Sequence, residues 1–348
     1  MIAQHLTRIR IEGFRSIERI EIPLDRINLL IGPNGSGKSN VLSIFELLHA
    51  VTLGKLQKFV EESGGAEILF RYGTDRTEKV QITAEFGDSL YEVVLTADET
   101  HRCRIYSEQL ILAAGEKTLT LKSKDTSETG VFTKVNEHPS CESFRLHLQS
   151  WTIYRFQQRC VNHDDEKLTA FLHMLKNIEP DHYHKIVDTV RLVFPQFGDF
   201  VFRNDADKPS IYWMDKNSDG YAFPLSALSG GTARFVALAV LLIQPCPPKL
   251  ILIDEPELGL HPFAVAALAD LIKFAGQKSQ LIVSTQSVQL LNAFDPETED
   301  AEGCSILIVE NHNGATSVTL TTPETLADWI EEYSIGELWQ MNILGGNP

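Results

Sequence analysis

Gly32-Pro33-Asn34-Gly35-Ser36-Gly37-Lys38-Ser39 matches the pattern G-x-x-x-x-G-K-[ST] at every fixed position. Glycines tolerate the backbone angles that turn successive N–H groups toward one point, and a helix N-terminus adds partial positive charge, so a triphosphate meets donors already aimed at it. In such a loop Lys38 reaches the β- and γ-phosphates and Ser39 ligates Mg²⁺, with Asn40 beside them at the helix start. The expected ligands are ATP and Mg²⁺.

A carboxylate pair follows a second apolar run. Leu250-Ile251-Leu252-Ile253 leads into Asp254-Glu255-Pro256. An acid at the C-terminal end of a buried parallel strand faces the crevice where open α/β sheets bind ligands. Asp254 suits Mg²⁺, directly or through water, and Glu255 suits orienting or deprotonating an attacking water. Upstream lies a second glycine turn, Leu228-Ser229-Gly230-Gly231-Thr232. The Ser229 hydroxyl, the Gly230 and Gly231 amides and the start of a helix again gather donors at an anion.

These residues together resemble a known family. Leu228 to Thr232 is similar to the signature motif of ABC-type ATPases, with Thr232 where that motif usually ends in glutamine. Asp254 to Pro262 resembles the Walker B motif and D-loop of the RecF, SMC and OLD branch. So does the opening strand Ile9 to Ser16, and Gln280 to Ser287 resembles its switch strand, with Gln286 in place of a histidine. The tail from Leu326 to Gly346 is similar to the end of compact, stand-alone ATPases of this branch.

The resemblance implies a site completed by two chains, in which Ser229, Gly230 and Gly231 of one protomer face the γ-phosphate bound by the other. It implies a homodimer that closes on two ATP-Mg²⁺ and acts on DNA or controls a separately encoded nuclease or effector, in DNA repair or phage defence. Arg15 matches a position that approaches the nucleotide. A glutamine after the strand Trp151 to Phe156 would link nucleotide to lid, with Gln157 or Gln158 as candidates and Gln157 as a Mg²⁺ ligand. Glutamine can hydrogen-bond but cannot carry a proton, so Gln286 implies γ-phosphate sensing with slow hydrolysis. His261 belongs to the D-loop pattern and is expected to structure the dimer seam.

The elements that must position these groups are legible in outline. Expected is an α/β fold of the P-loop NTPase, ABC-ATPase type: a mostly parallel central sheet with helices, an N-terminal antiparallel β subdomain and a compact helical lid. Residues 1–122 form a lobe with the phosphate loop; residues 123–228 form a mostly helical lid and signature region. Residues 229–348 carry the signature helix, Walker B, D-loop and switch strand. Val80 to Phe86, Tyr91 to Leu95 and Ile105 to Leu112 are β-favouring runs, and Lys122 to Gly130 reads as a loop. Leu168, Phe171, Leu172 and Leu175 fall at helical spacing, as do Ile186, Val187, Val190 and Phe194. Thr322-Pro323 opens a last helix. No apolar heptad persists, so the SMC coiled-coil arm is not expected, nor is an appended nuclease module.

The 348 residues carry a net charge of −16. That balance opposes a broad phosphate-binding surface, so DNA contact rests on the resemblance rather than on charge. Five cysteines without C-x-x-C spacing read as reduced thiols, and no stretch reads as a leader or membrane span. The expected location is cytoplasmic. A transporter's nucleotide-binding subunit and a P-loop kinase are the alternatives. The run after Asp254 argues against the first, and the Ser229 to Thr232 turn, which a kinase does not need, against the second.

Overall fold

The computed structural model describes residues 5–99, 101–114, 117–132, 139–155, 165–205, 208–294, 303–321, 329 and 332–345. A six-stranded sheet lies at its centre, built from β3 (Ile27–Ile31), β8 (Thr152–Arg155), β12 (Leu250–Asp254), β13 (Gln280–Ser284), β14 (Cys304–His312) and β15 (Ala315–Thr321). The order is β15-β14-β3-β13-β12-β8, and every pairing is parallel except the β14–β15 hairpin. Such strands are covered on both faces, which is why β3, β12 and β13 read as mostly apolar runs, with the buried polar residues Asn28, Gln280 and Ser284 among them.

Alternation along those strands divides the core in two. Leu30, Leu250, Leu252 and Ile282 face one cluster; Leu29, Ile31, Ile251, Ile253, Leu281 and Val283 face the other. The first is closed by α1 (Lys38–Thr52), α2 (Leu56–Glu62), α4 (Pro139–Gln149) and an antiparallel sheet. That sheet runs β2-β1-β4-β5-β6-β7, from β1 (Arg8–Phe14), β2 (Ile17–Pro23), β4 (Val80–Phe86), β5 (Ser89–Ala97), β6 (Cys103–Ala114) and β7 (Lys117–Thr126). A short helix, α3 (Ala66–Leu69), leads back toward it. The second cluster packs α5 (Asp165–Ile178), α6 (Pro180–Val193), α7 (Gly230–Ile243), α8 (Pro262–Gly276) and α9 (Val288–Asn292) on the opposite face. The α/β class, the mostly parallel sheet and the antiparallel N-terminal sheet agree with expectation.

Two expectations need correction. Lys122 to Thr126 is not loop but the second half of β7, paired with β6 through Gln109↔Lys122 to Ile105↔Thr126. Its exposed Thr120, Lys122 and Lys124 suit a solvated edge strand, whose polarity imitates a loop in sequence. The segment 123–228 is also mixed rather than mostly helical. Beside α4 to α6 it holds β8 and a three-stranded antiparallel sheet, β9 (Phe197–Asp205), β10 (Lys208–Asp215) and β11 (Ala222–Pro224). Phe200 and Phe202 on one strand and Ile211 and Trp213 on the next alternate inward, a period-two pattern that packs on α5 and α6. The helix expected at Thr322-Pro323 lies outside the described residues.

Candidate nucleotide site

The loop between β3 and α1 is held from three sides. Gly35 and Gly37 take left-handed backbone angles, φ 81° and 111°. At Gly37 a side chain would collide with Thr316, whose Oγ1 would lie 2.2 Å from a Cβ, so glycine is required for space as well as angle. The Lys38 ammonium is buried and curls back on its own loop, donating to the carbonyls of Gly32 at 2.5 Å and Pro33 at 3.1 Å. Burial lowers its pKa, and the charges of Glu255, Asp254 and Glu257 oppose the shift. Ser39 stands exposed at the start of α1.

Asp254 ends β12 in register with Ser284 of β13 and Arg155 of β8. Ser284 Oγ donates to Asp254 Oδ1 at 2.5 Å, which fixes the carboxylate at the strand tip. Glu255 follows with a positive φ of 46°, and its N–H donates to the Ser284 carbonyl at 3.1 Å and hydroxyl at 3.0 Å. This left-handed residue turns the second carboxylate out of strand geometry and toward the phosphate loop. There the Gln286 amide Nε2 donates to Glu255 Oε1 at 2.5 Å and to Asn34 Oδ1 at 3.0 Å. The general-base candidate, the switch residue and the phosphate loop therefore meet through one side chain.

The D-loop is strapped to the same switch strand. Glu257 Oε1 accepts from Thr285 Oγ1 at 2.6 Å and from the Gln286 N–H at 3.0 Å. Ser229 is exposed and caps α7, accepting from the Thr232 N–H at 3.2 Å. Gly231 presses on the D-loop: a Cβ there would lie 2.3 Å from the Gly259 carbonyl. Arg234 donates to the Leu258 carbonyl. His261 caps α8 through a bond from the Phe263 N–H, 3.3 Å. In this chain the second glycine turn and the D-loop form one unit. No hydrogen bond joins Ser229 to the phosphate loop among the described residues.

Arg15, at a positive φ of 49°, points along α1, with Nη1 3.0 Å from Ser43 Oγ and 3.5 Å from Asn40 Oδ1. Arg155 comes to the same place from the edge strand. Its Nη2 donates to Ser43 Oγ at 3.0 Å and to the Ser39 carbonyl at 3.3 Å, and its Nε pairs with Glu46 at 3.1 Å. Burial raises the Glu46 pKa against the pull of both arginines. Gln157 and Gln158 lie outside the described residues.

Sequence reasoning missed Ser284, Thr316 and Arg155 as supports of the site. Ser284 sits in the switch strand, within reach of a sequence pattern; the other two act across sequence separations of 280 and 116, with no local signal.

The residues fit a triphosphate. Among the described residues Ser36 Oγ is buried with no hydrogen-bond partner, the Lys38 ammonium bonds only loop carbonyls, and the glycines open the cradle. A family model described as an AAA ATPase domain matches residues 5–178. The chain belongs to this AAA ATPase domain family. A second AAA-domain model, whose description mentions an AbiEii toxin and a type IV TA system, matches residues 136–292. The chain is 24% identical over 298 residues to the Septu protein PtuA of Bacillus thuringiensis, covering 83% of itself and 73% of that relative. It is 31% identical over 109 residues to the DNA replication and repair protein RecF of Proteus mirabilis, 25% of this chain and 30% of RecF.

The fold of this AAA ATPase is that of Smc heads. An Smc head bound to the C-winged helix domain of ScpA aligns over 93% of the chain and 99% of that structure, with TM-score 0.59 and 18% identity. A second, from Pyrococcus furiosus with an extended coiled coil and bound to the C-terminal domain of ScpA, aligns over 94% and 99%, with TM-score 0.61 and 15% identity. The chain is thus a RecF/SMC-like, ABC-type ATPase domain. Among the described residues no helix is long and apolar enough to cross a membrane.

Proposed function

We propose that this chain is an ATP-hydrolysing switch that closes as a head-to-head homodimer around two ATP-Mg²⁺. The observation that supports it is the Gln286 amide bridging Glu255 and Asn34, which puts a carboxylate beside the phosphate loop. Lys38 leaves the Gly32 and Pro33 carbonyls for the β- and γ-phosphate oxygens, a short swing for an ammonium already desolvated in the loop. Glu255 takes the proton from a water as its oxygen attacks the γ-phosphorus and the bond to the bridging oxygen breaks, leaving ADP and phosphate. Gln286 holds that carboxylate toward the water. Ser39 and Asp254 would hold Mg²⁺, with Gln157 a further candidate, and the ion when bound offsets phosphate charge.

Ser229, Gly230 and Gly231 are the donors offered to the partner protomer's γ-phosphate. They stand exposed or partly exposed at the start of α7, and their tie to the D-loop through Gly231 moves both as one face. Closure is useful only to a partner that prefers one state. That partner is a separately encoded effector or nuclease in the cytoplasm, in DNA repair or phage defence. The names of this chain's relatives support this: one is called a DNA replication and repair protein, and similar heads were solved bound to domains of another protein.

Glu255→Gln tests this reading. It should slow turnover by roughly 10² to 10⁴ while retaining ATP, so that light scattering shows a stable ATP-dependent dimer. A variant that binds ATP and stays monomeric at every concentration would refute the switch.

A further inference from the structure

Three elements remote in sequence meet behind the phosphate loop, and their hydrogen bonds can be given a direction. The Thr316 hydroxyl, on the first turn of chain into β15, is buried and donates to the Ser36 carbonyl at 3.2 Å. Its single proton being used, it must accept from Ser16 Oγ, 2.6 Å away in the β1–β2 turn. Ser16 Oγ in turn accepts from Asn40 Nδ2 at 2.6 Å, on α1. The chain of bonds therefore runs Asn40 to Ser16 to Thr316 to Ser36, each hydroxyl accepting one bond in it and donating one. A backbone bond from the Thr316 N–H to the Ser16 carbonyl, 2.9 Å, fixes the two turns against each other.

The consequence is geometric. In a trans peptide the carbonyl and the following N–H point in opposite directions. Pinning the Ser36 carbonyl to Thr316 therefore aims the Gly37 N–H away from Thr316, and that N–H meets no protein acceptor among the described residues. The Thr316 side chain also fills the space beside Gly37, where a Cβ would lie within 3.0 Å of three of its atoms. Thr316 thus fixes the rotation of the peptide plane that carries the Gly37 N–H, the donor just before Lys38.

We propose that Thr316 is a positioning residue for the nucleotide's phosphates, holding the Ser36–Gly37 peptide in its phosphate-binding orientation before ligand arrives. Ser16 is its support, setting the hydroxyl's direction. This rests on the ATP-binding reading above, and deepens it by assigning a role to the β14–β15 hairpin.

Thr316→Val keeps the shape and removes the hydroxyl; Thr316→Ser keeps the hydroxyl. Titration calorimetry with ATPγS and Mg²⁺ should show Thr316→Val binding about 5- to 50-fold more weakly, the effect of a lost bond plus a stranded carbonyl. Thr316→Ser should bind within about twofold of the parent, and thermal melts should place both variants close to it. Parent-like binding by Thr316→Val, or weak binding by Thr316→Ser, overturns the assignment. If Thr316→Val does not fold, Ser16→Ala, one bond further out, should weaken binding about threefold, and unchanged binding there overturns it equally. Failure of the parent chain itself to bind ATPγS would instead overturn the nucleotide reading.

Discussion

Gln286 Nε2 lies 2.5 Å from Glu255 Oε1 and 3.0 Å from Asn34 Oδ1, so one neutral amide spans the carboxylate that would activate water and the loop that would hold phosphate. A glutamine in this position can donate to both acceptors at once and keeps its protonation at every pH. It holds the carboxylate without competing for the proton that Glu255 would accept in the proposed hydrolysis.

Removing that amide frees Glu255 to rotate. Gln286→Ala should lower single-turnover hydrolysis about tenfold with ATP affinity little changed, the pattern of a lost interaction that orients a base. Gln286→His restores a titratable ring and should raise the rate above the parent's. An unchanged rate in Gln286→His would sink the idea that this residue limits turnover.

Ser229 offers a cleaner test of the two-chain site than a bulky replacement would. Aspartate is as good an N-cap as serine, so Ser229→Asp keeps the bond to the Thr232 N–H and leaves α7 intact. Its charge, however, would face a partner's γ-phosphate. The expected result is normal ATP binding and melting temperature, with the ATP-dependent dimer lost in light scattering of the Glu255→Gln background.

Two half-buried histidines packed beneath the antiparallel sheet, His147 and His49, should make the fold acid-sensitive. His147 packs edge-on against Phe86, and burial, with Lys249 and His5 adding repulsion, lowers its pKa from 6.5 to about 4. A base with a depressed folded pKa favours the neutral form. Above pH 6.5 it costs nothing, and between pH 6.5 and 4 the unfolded chain binds a proton that the folded chain refuses. Stability should therefore fall with pH across that window, by roughly 3 kcal/mol at its lower end. His49, also lowered chiefly by burial, acts in the same direction. Urea titrations at pH 7 and 4.5 check this, and His147→Phe, which keeps the ring packing, should flatten the dependence.

Glu108 anchors the chain after β7. Its carboxylate accepts from Tyr91 Oη at 2.7 Å, Thr129 Oγ1 at 2.6 Å, and the N–H groups of Gly130 and Val131 at 2.9 and 3.0 Å. Glu108→Leu strands the buried donors of Tyr91, Thr129 and Val131 and should cost about 3 kcal/mol or more. Glu108→Gln can keep its oxygen on the two amides and offer its NH₂ to the rotatable hydroxyls, for a loss of about 1 kcal/mol. Denaturant unfolding that finds equal losses would contradict this account.

The legible parts of the fold were those whose signal is local. Val80 to Phe86 is strand from end to end as its β-favouring pattern predicts, and the strand Gln280 to Ser284 lies within the run Gln280 to Ser287. The second half of β7 reads as loop because an exposed edge strand and a polar loop share a composition. The β9–β10 pair is masked in sequence by the helical repeat that precedes it. In the site, the glycine loop, Asp254 and Glu255 are named by spacing alone. Arg155 is not, since an arginine at a strand end says nothing about which helix it will meet.

By itself the sequence determined the chemistry: a phosphate loop after a buried strand, two acids after another, and a second glycine turn before a helix. Those follow from short-range rules of backbone angle, hydrogen bonding and charge, which operate within a few residues. Only the tertiary structure decided how the pieces brace one another. Gln286 joins Glu255 to Asn34, and Thr316 joins Ser36 to Ser16, because the parallel order β14-β3-β13-β12 sets the tips of remote strands side by side. Contacts of that kind depend on strand order and register, and a linear pattern carries neither.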